Sequence, residues 1–278
     1  MGDKELVYNQ DYSVVDDVLR IPNVTDDIVV NAIKPVTNGM ILFTTPYSKT
    51  SNNFDQFKVY NKNINQSTNN DNNGELVYDE NGGLICDTNN PIATLDLSTV
   101  ATMTNGFTAN ITLKTDPTNA GANDNYGETV IAFTQCDRGV YLLWVCFYKG
   151  FIHIYAYRES NSIPNMNKTY RENRFLSIDY MFCKDKIVNL QIVANNTENA
   201  KLFVNGKWYR SLNIENVNIN YDKITIGDLR PGRNLKFNGT LYDVSIYNRY
   251  ITYDEIVANY EYAKSVWNLD EVTIPSSN

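Results

Sequence analysis

The stretch YLLWVCFYKGFIHIYAYRE, residues 141–159, constrains the fold more than any other part of the chain. It consists of two apolar runs of period two joined by Lys149-Gly150, read as a two-residue turn. A turn there sets Tyr148 opposite Phe151. One face then pairs Cys146 with His153, Trp144 with Tyr155 and Leu142 with Tyr157. The other pairs Phe147 with Ile152, Val145 with Ile154 and Leu143 with Ala156. The second face is wholly apolar and must lie in a core; the first is an aromatic stripe with a polar edge. Such a hairpin commits its surroundings to antiparallel sheet.

Further strands carry the same period. Phe107, Ala109, Ile111 and Leu113 alternate strictly along FTANITL. Leu76-Val77-Tyr78 and Leu84-Ile85-Cys86 flank a turn at Asn81-Gly82. Lys201-Leu202-Phe203-Val204 and Lys207-Trp208-Tyr209 flank Asn205-Gly206, a strong turn signal because both residues tolerate positive φ. Met40–Phe43, 129–133, Ile224–Gly227 and Leu241–Tyr247 read as strands too. The segments 61–74 and 116–127 are almost wholly polar and read as exposed loops. The 40 asparagines and 20 tyrosines among 278 residues suit turns and strands better than helices. Strands and turns at this spacing predict a β-sandwich.

One helix is written clearly. Thr252-Tyr-Asp-Glu255 is a capping box, and Ile251 and Ile256 stand where a hydrophobic staple closes. The helix is expected to run to about residue 264. The domain reading is an N-terminal arm over 1–36, a sandwich over 37–265 and a loose tail over 266–278. Within the arm, Thr25 with Asp26 and Asp27 fits a helix start, while Ile28-Val29-Val30 fits a strand equally well.

Charge and composition exclude several functions. The formal net charge is −8 and the pI is about 4.8, which argues against nucleic acid and anionic membrane as partners. No apolar run approaches the roughly 18 residues that span a bilayer, and the start lacks a secretory pattern. Synthesis in the cytoplasm followed by display on a virion or extracellular surface fits these features. The single histidine, His153, excludes multi-histidine metal sites. The four cysteines form no C-x-x-C pair. No nucleophile elbow, phosphate-binding loop, dinucleotide fingerprint or H-E-x-x-H occurs, so no catalytic residue is assigned and the chain is not read as an enzyme.

The block FNGTLYDVSIYNRYITYDEIVANY, residues 237–260, resembles the terminal strand and helix of laminin-G-like, concanavalin A-like jelly rolls. Phe237, Gly239, Asp243, Val244, Ile246, Tyr247, Asn248, Arg249, Glu255, Ile256 and Tyr260 carry the likeness. KLFVNGKWY, GELVYDENGGLI and GFTANITLKTD add to it, so it covers about residues 37–265. The resemblance implies an all-β, antiparallel jelly-roll β-sandwich with one short C-terminal helix, outside which the N-terminal arm lies. It implies structural roles for Asp243 and Arg249, and a close backbone approach at Gly239. Many relatives bind glycans or proteins, some with calcium, and others are spacers.

A sugar offers apolar C–H faces and polar rims, so its site calls for an aromatic platform edged by amides, carboxylates or Arg. The candidates are Trp208 and Tyr209 past a tight turn, Tyr126 in a polar loop, Arg230 and Arg233 in DLRPGRN, and the stripe Trp144, Tyr155 and Tyr157. Packing against a loop or the second sheet competes as an account of the stripe. Asp116, Asn123, Asp124 and Asp228 are oxygen donors on loops, the ligand type that calcium takes. Two functions follow as expectations. One is a non-catalytic carbohydrate-binding module on a bacterial or phage particle. The other is a structural virion protein whose partners are other virion or surface proteins, with the arm as a docking or homo-oligomer contact.

Overall fold

The computed structural model describes residues 13–15, 18–20, 36, 38, 40–44, 57–58, 64–67, 79–86, 93–103, 106–115, 128–135, 140–148, 151–156, 175–194, 200–212, 219–227 and 237–275. The chain divides into two compact units, Met1–Ile33 and Lys34–Asn278. In the first, β1 (Ser13–Val15) and β2 (Val18–Arg20) form an antiparallel ribbon with Ser13 opposite Arg20.

The second unit opens with β3 (Met40–Thr44), β4 (Phe57–Lys58), β5 (Ile64–Ser67), β6 (Leu84–Cys86), β7 (Ala93–Met103) and β8 (Phe107–Thr115). It continues with β9 (Glu128–Gln135), β10 (Val140–Tyr148), β11 (Phe151–Ala156) and β12 (Phe175–Asp179). Last come β13 (Val188–Ala194), β14 (Ala200–Val204), β15 (Lys207–Leu212), β16 (Ile219–Ile226), β17 (Gly239–Tyr247) and the helix α1 (Tyr253–Trp267). One sheet runs β12-β11-β10-β9-β16-β7-β5. The other runs β15-β14-β13-β8-β17-β3-β4, with β6 also paired to β17. The pairings are antiparallel throughout.

Alternation sets which residues meet between the sheets. Phe107, Ala109, Ile111 and Leu113 of β8 join Leu190, Ile192, Val244 and Ile246 on one side of the core. Val145, Phe147, Ile152, Ile154 and Ile224 close it from the other. Each fully buried large apolar side chain contributes about 1.5–3 kcal/mol of transfer free energy. The β10–β11 register is the one the alternation predicts, from Tyr148 opposite Phe151 to Leu143 opposite Ala156. The pair Leu142–Tyr157 lies outside the described residues.

The opposite face of the second sheet is covered as well, which is why β8 and β13 are buried along almost their whole length. Helix α1 lies there. Ile251 and Ile256 pack with Met40, Val193, Phe203 and Tyr247, and farther along Ala263 and Trp267 pack with Tyr242. The capping box forms as read: Thr252 Oγ1 accepts from the Glu255 amide, and the Glu255 carboxylate accepts from the Thr252 amide at 2.8 Å. Between helix and sheet lies a ladder of buried amides. Asn189 Nδ2 donates to Asn110 Oδ1 at 2.8 Å and to Thr112 Oγ1 at 3.1 Å. Gln191 Nε2 donates to Asn189 Oδ1 at 3.0 Å and to the Ile256 carbonyl at 2.8 Å. The amide nitrogens of Asn189 and Gln191 are partnered in this way, while Gln191 Oε1 is buried without a partner.

Two expectations change, and three strands are added. Segment 61–74 is not all loop, because Ile64–Ser67 pairs with β7 from Leu97 to Thr94. Backbone pairing there does not need apolar alternation. Strands β7, β12 and β13 were not singled out in the sequence. The C-terminal segment is not a loose tail either. The helix runs to Trp267, and Asn268 closes it with a left-handed φ of 49°. The Asp270 amide then donates to the Ile187 carbonyl at 2.9 Å, and the Ile187 amide donates back to Asp270 Oδ2 at 2.6 Å. Asn205 Nδ2 donates to the Asp270 carbonyl at 2.9 Å, and Val272 and Ile274 pack on the core. Two apolar residues spaced by one are enough to dock an extended strap.

Candidate functional site

The β14–β15 hairpin ends the second sheet, with β15 on its edge. Asn205 and Gly206 both take positive φ, 47° and 70°, as a two-residue turn of this sequence requires. A Cβ on Gly206 would sit 2.9 Å from the Tyr260 ring, so the turn is seated against α1. Past the turn, Lys207 faces Val204 and Trp208 faces Phe203, but Arg210 faces Leu202. Tyr209 is the extra residue of a β-bulge.

That bulge separates the two aromatic candidates. Trp208 is 48% exposed, whereas Tyr209 is 3% exposed. Tyr209 turns into the core, where its ring meets Phe182 at 4.9 Å between centroids and its hydroxyl donates to the Asp179 carbonyl at 3.1 Å. Its role is structural, and the expectation of a ligand contact there is withdrawn. Trp208 alone of the pair faces solvent.

Around Trp208 the fold gathers residues distant in sequence. Phe203, its cross-strand partner, is buried and lies 6.1 Å from the ring of Tyr253. Tyr253, the first residue of α1, is 58% exposed. Lys201, two residues before Phe203 on β14, donates from Nζ to the Tyr250 hydroxyl at 3.4 Å, and Nζ lies 5.8 Å from that ring's centroid. The start of α1 is fixed by more than its capping box. Arg249 grips Glu255 with Nη1 at 2.9 Å and Nη2 at 2.5 Å. That grip holds the Glu255 carboxyl down at about 2. The result is a patch of Trp208 and Tyr253 flanking buried Phe203, edged by Lys201 and Tyr250. Tyr250, Tyr253 and Lys201 escaped the sequence reading; the capping box that sets Tyr253 at the helix start was the one available signal.

The other candidates fall elsewhere. Trp144 is only 5% exposed, so the stripe on β10 and β11 does not present its indole to a ligand. Its cross-strand position opposite Tyr155 is as expected. The Tyr155 side chain lies outside the described residues. So do Tyr126, Tyr157, Arg230 and Arg233, and the calcium candidates Asp116, Asn123, Asp124 and Asp228. Among the described residues no group of three or more His, Cys, Asp or Glu is placed to hold a metal.

Cys86, Cys146 and Cys183 are buried. Cys146 does stand opposite His153, but burial pushes the Cys146 and Cys183 thiols far above the ordinary range, so neither supplies a thiolate.

An open cleft of about 570 Å³ lies between the turn at Asp79–Gly83, the start of β17 and the loop at Asp185. Its charged groups are largely engaged in holding the fold. Asp79 Oδ1 accepts from the Asn81 and Gly83 amides at 2.9 and 2.8 Å, and Oδ2 accepts from the Tyr242 hydroxyl at 2.6 Å. Asp185 pairs with Lys114 at 3.1 Å.

The class defined by these features is a β-sandwich with one covering helix and a solvent-facing aromatic patch on its edge hairpin. No family model and no curated protein matches the sequence. Solved structures share the fold. The receptor binding domain of botulinum neurotoxin C/D mosaic serotype is 13% identical with a TM-score of 0.57, over 81% of this chain and 51% of that one. The serotype D ligand binding domain, solved in complex with N-acetylneuraminic acid, is 14% identical with a TM-score of 0.56, over 81% and 51%. The binding domain of botulinum neurotoxin DC, solved with rat synaptotagmin II, is 13% identical with a TM-score of 0.55, over 81% and 52%. This chain thus spans about half the length of these neighbours, and at such identity the likeness is one of fold.

Proposed function

We propose that the chain is a non-catalytic glycan-binding module of the laminin-G-like, concanavalin A-like jelly-roll kind, displayed on a bacterial or phage particle or another extracellular surface. The observation that carries the reading is Trp208. A large indole left nearly half exposed on an edge hairpin, beside an exposed Tyr253, is a flat apolar surface of the type that stacks on sugar C–H faces. Tyr250 and Lys201 supply hydrogen-bonding groups at its edge. Support from fold comes from the neurotoxin domain solved with N-acetylneuraminic acid. Calcium held by Asp116, Asn123, Asp124 and Asp228 belongs to the same proposal.

A glycan array run with calcium and with chelator tests it. Binding that Trp208→Ala and Tyr253→Ala each weaken at least about tenfold supports the reading. An array blank under both conditions refutes it.

A second reading, a particle protein that makes protein contacts, rests on Phe151 and Met181. Both are exposed. Phe151 lies opposite Asp179 on the outermost strand β12, and the Met181 amide donates to Asp179 Oδ1 at 2.9 Å. An exposed apolar pair beside the last described strand of its sheet suits a protein partner, and the neurotoxin domain solved with synaptotagmin II shares this fold. Loss of particle incorporation on deleting residues 1–36, with a blank glycan array, favours this alternative and assigns the arm to docking or self-association.

A further inference from the structure

The chain ahead of β3 is held by residues 211 to 223 positions later in the sequence. The Val36 amide donates to Asn259 Oδ1 at 3.0 Å, and the Val36 carbonyl accepts from the Tyr247 hydroxyl at 2.9 Å. The Asn38 carbonyl accepts from Arg249 Nε at 2.8 Å. Val36 also packs on the buried cluster of Met40, Val193, Phe203, Tyr247, Ile251 and Ile256, which contains the centre of the aromatic patch. All three bonds engage main-chain atoms of the held segment, so they fix the path of its backbone.

The residues that do the holding belong to the stretch that carries Tyr250 and Tyr253. Tyr247 ends β17, Arg249 lies in the connection 248–252, and Asn259 is buried in α1. Arg249 divides its guanidinium between the two sides. Nε serves Asn38, while the outer nitrogens serve the Glu255 carboxylate and the Tyr250 carbonyl, the last at 3.3 Å. Glu255 in turn accepts from the Thr252 amide, next to Tyr253. Thr108 of β8 pins the same connection from below: its hydroxyl donates to the Arg249 carbonyl at 2.9 Å and accepts from the Ile251 amide at 3.3 Å. Tyr250 is thus flanked by held backbone on both sides. A ring that wanders has to be ordered at the moment of binding, which costs affinity; a ring on pinned backbone is ordered beforehand.

Resting on the glycan reading of this patch, we propose that Val36 and Asn38 are positioning residues of the binding site. They clamp the connection between β17 and α1, and Tyr250 and Tyr253 keep their places near Trp208 while that clamp is seated.

Two substitutions in the full chain loosen the clamp from different sides. Tyr247→Phe removes the hydroxyl that holds the Val36 carbonyl and keeps the ring. Arg249→Lys removes the Nε donor to Asn38 and keeps a cation for Glu255. Hydrogen exchange reads the clamp with no ligand present. The amides of 250–255 are expected to exchange about tenfold faster in each variant, while those of β13 keep their native rate. Binding is probed on the glycan array, and the hits of the native chain are titrated against each variant. Affinity is expected to fall about tenfold, with the fraction of binding-competent molecules unchanged. Native exchange over 250–255, faster exchange that extends equally to β13, undiminished affinity, or fewer competent molecules at native affinity each overturns the proposal and leaves the aromatic platform standing. A blank array for the native chain overturns the glycan reading and this proposal together.

Discussion

The indole Nε1 of Trp267 donates a 2.6 Å hydrogen bond to Oδ2 of Asp243, tying the last turn of α1 to the middle of β17. Asp243 is buried, and its Oδ1 has no hydrogen-bond partner. Burial raises its carboxyl from 3.8 to about 7, against the pull of the Thr112 side chain and, after it, of the indole.

This arrangement makes stability fall with rising pH. A carboxyl whose folded pKa is raised binds a proton more tightly folded than unfolded, so its contribution is complete below about pH 4 and lost as pH climbs through about 7. The full span is on the order of 4 kcal/mol. Asp243→Asn keeps an acceptor for Trp267 and cannot ionise. Urea midpoints measured from pH 4 to pH 8 are expected to decline for the native chain and to lose that decline in the variant. Parallel curves would sink the assignment.

Glu255 gives the opposite sign. The Arg249 hydrogen bonds hold its carboxyl at about 2 instead of 4.5, so its contribution is present above about pH 4.5 and disappears as pH falls through 2. Arg249→Ala removes a two-pronged, charge-assisted contact at the helix start and is expected to lower stability by about 1–3 kcal/mol at pH 7. The same substitution measured at pH 2 is expected to matter less.

Neighbouring aromatic residues should behave in opposite ways. Trp208→Ala is expected to change stability by no more than about 0.5 kcal/mol, because the ring is exposed. Tyr209→Ala empties a core position beside Phe182 and is expected to cost about 3 kcal/mol. Thermal melts decide the stability half, and the glycan titrations show which residue the ligand meets.

Thiol labelling checks the buried cysteines. Cys86, Cys146 and Cys183 lie in the interior, so no more than one of the four thiols is expected to react quickly with a chromogenic disulfide in the folded chain. All four should react in denaturant. Rapid labelling of two or more in the native state contradicts the packing around Cys146 and Cys183.

What the sequence reveals here depends on how locally a feature is determined. The β10–β11 register is legible because alternation and turn lie within one stretch of 19 residues, 141–159. The capping box is legible because its two hydrogen bonds join residues three apart. Gly239 is legible as a close-approach position, since a Cβ there would fall 2.3 Å from the Lys114 carbonyl oxygen. Trp208 and Tyr209 look alike in sequence, and only the bulge, set by how β15 meets β14, sends one out and the other in. The patch of Trp208, Tyr253, Tyr250 and Lys201 is assembled across roughly 50 residues of chain, so no window contains it. The Trp144 stripe leaves a sugar platform and packing against a loop or the second sheet both open in the sequence, and the burial of Trp144 fits packing.

The exchange of two hydrogen bonds between Asp270 and Ile187 has a mechanical meaning. A pull applied beyond residue 275 reaches that pair, and the Asn205 side chain behind it, before it reaches helix α1. Tension is thereby handed to the strand that begins at Val188, in the middle of the sandwich, and the helix is spared from being peeled off the amides it covers.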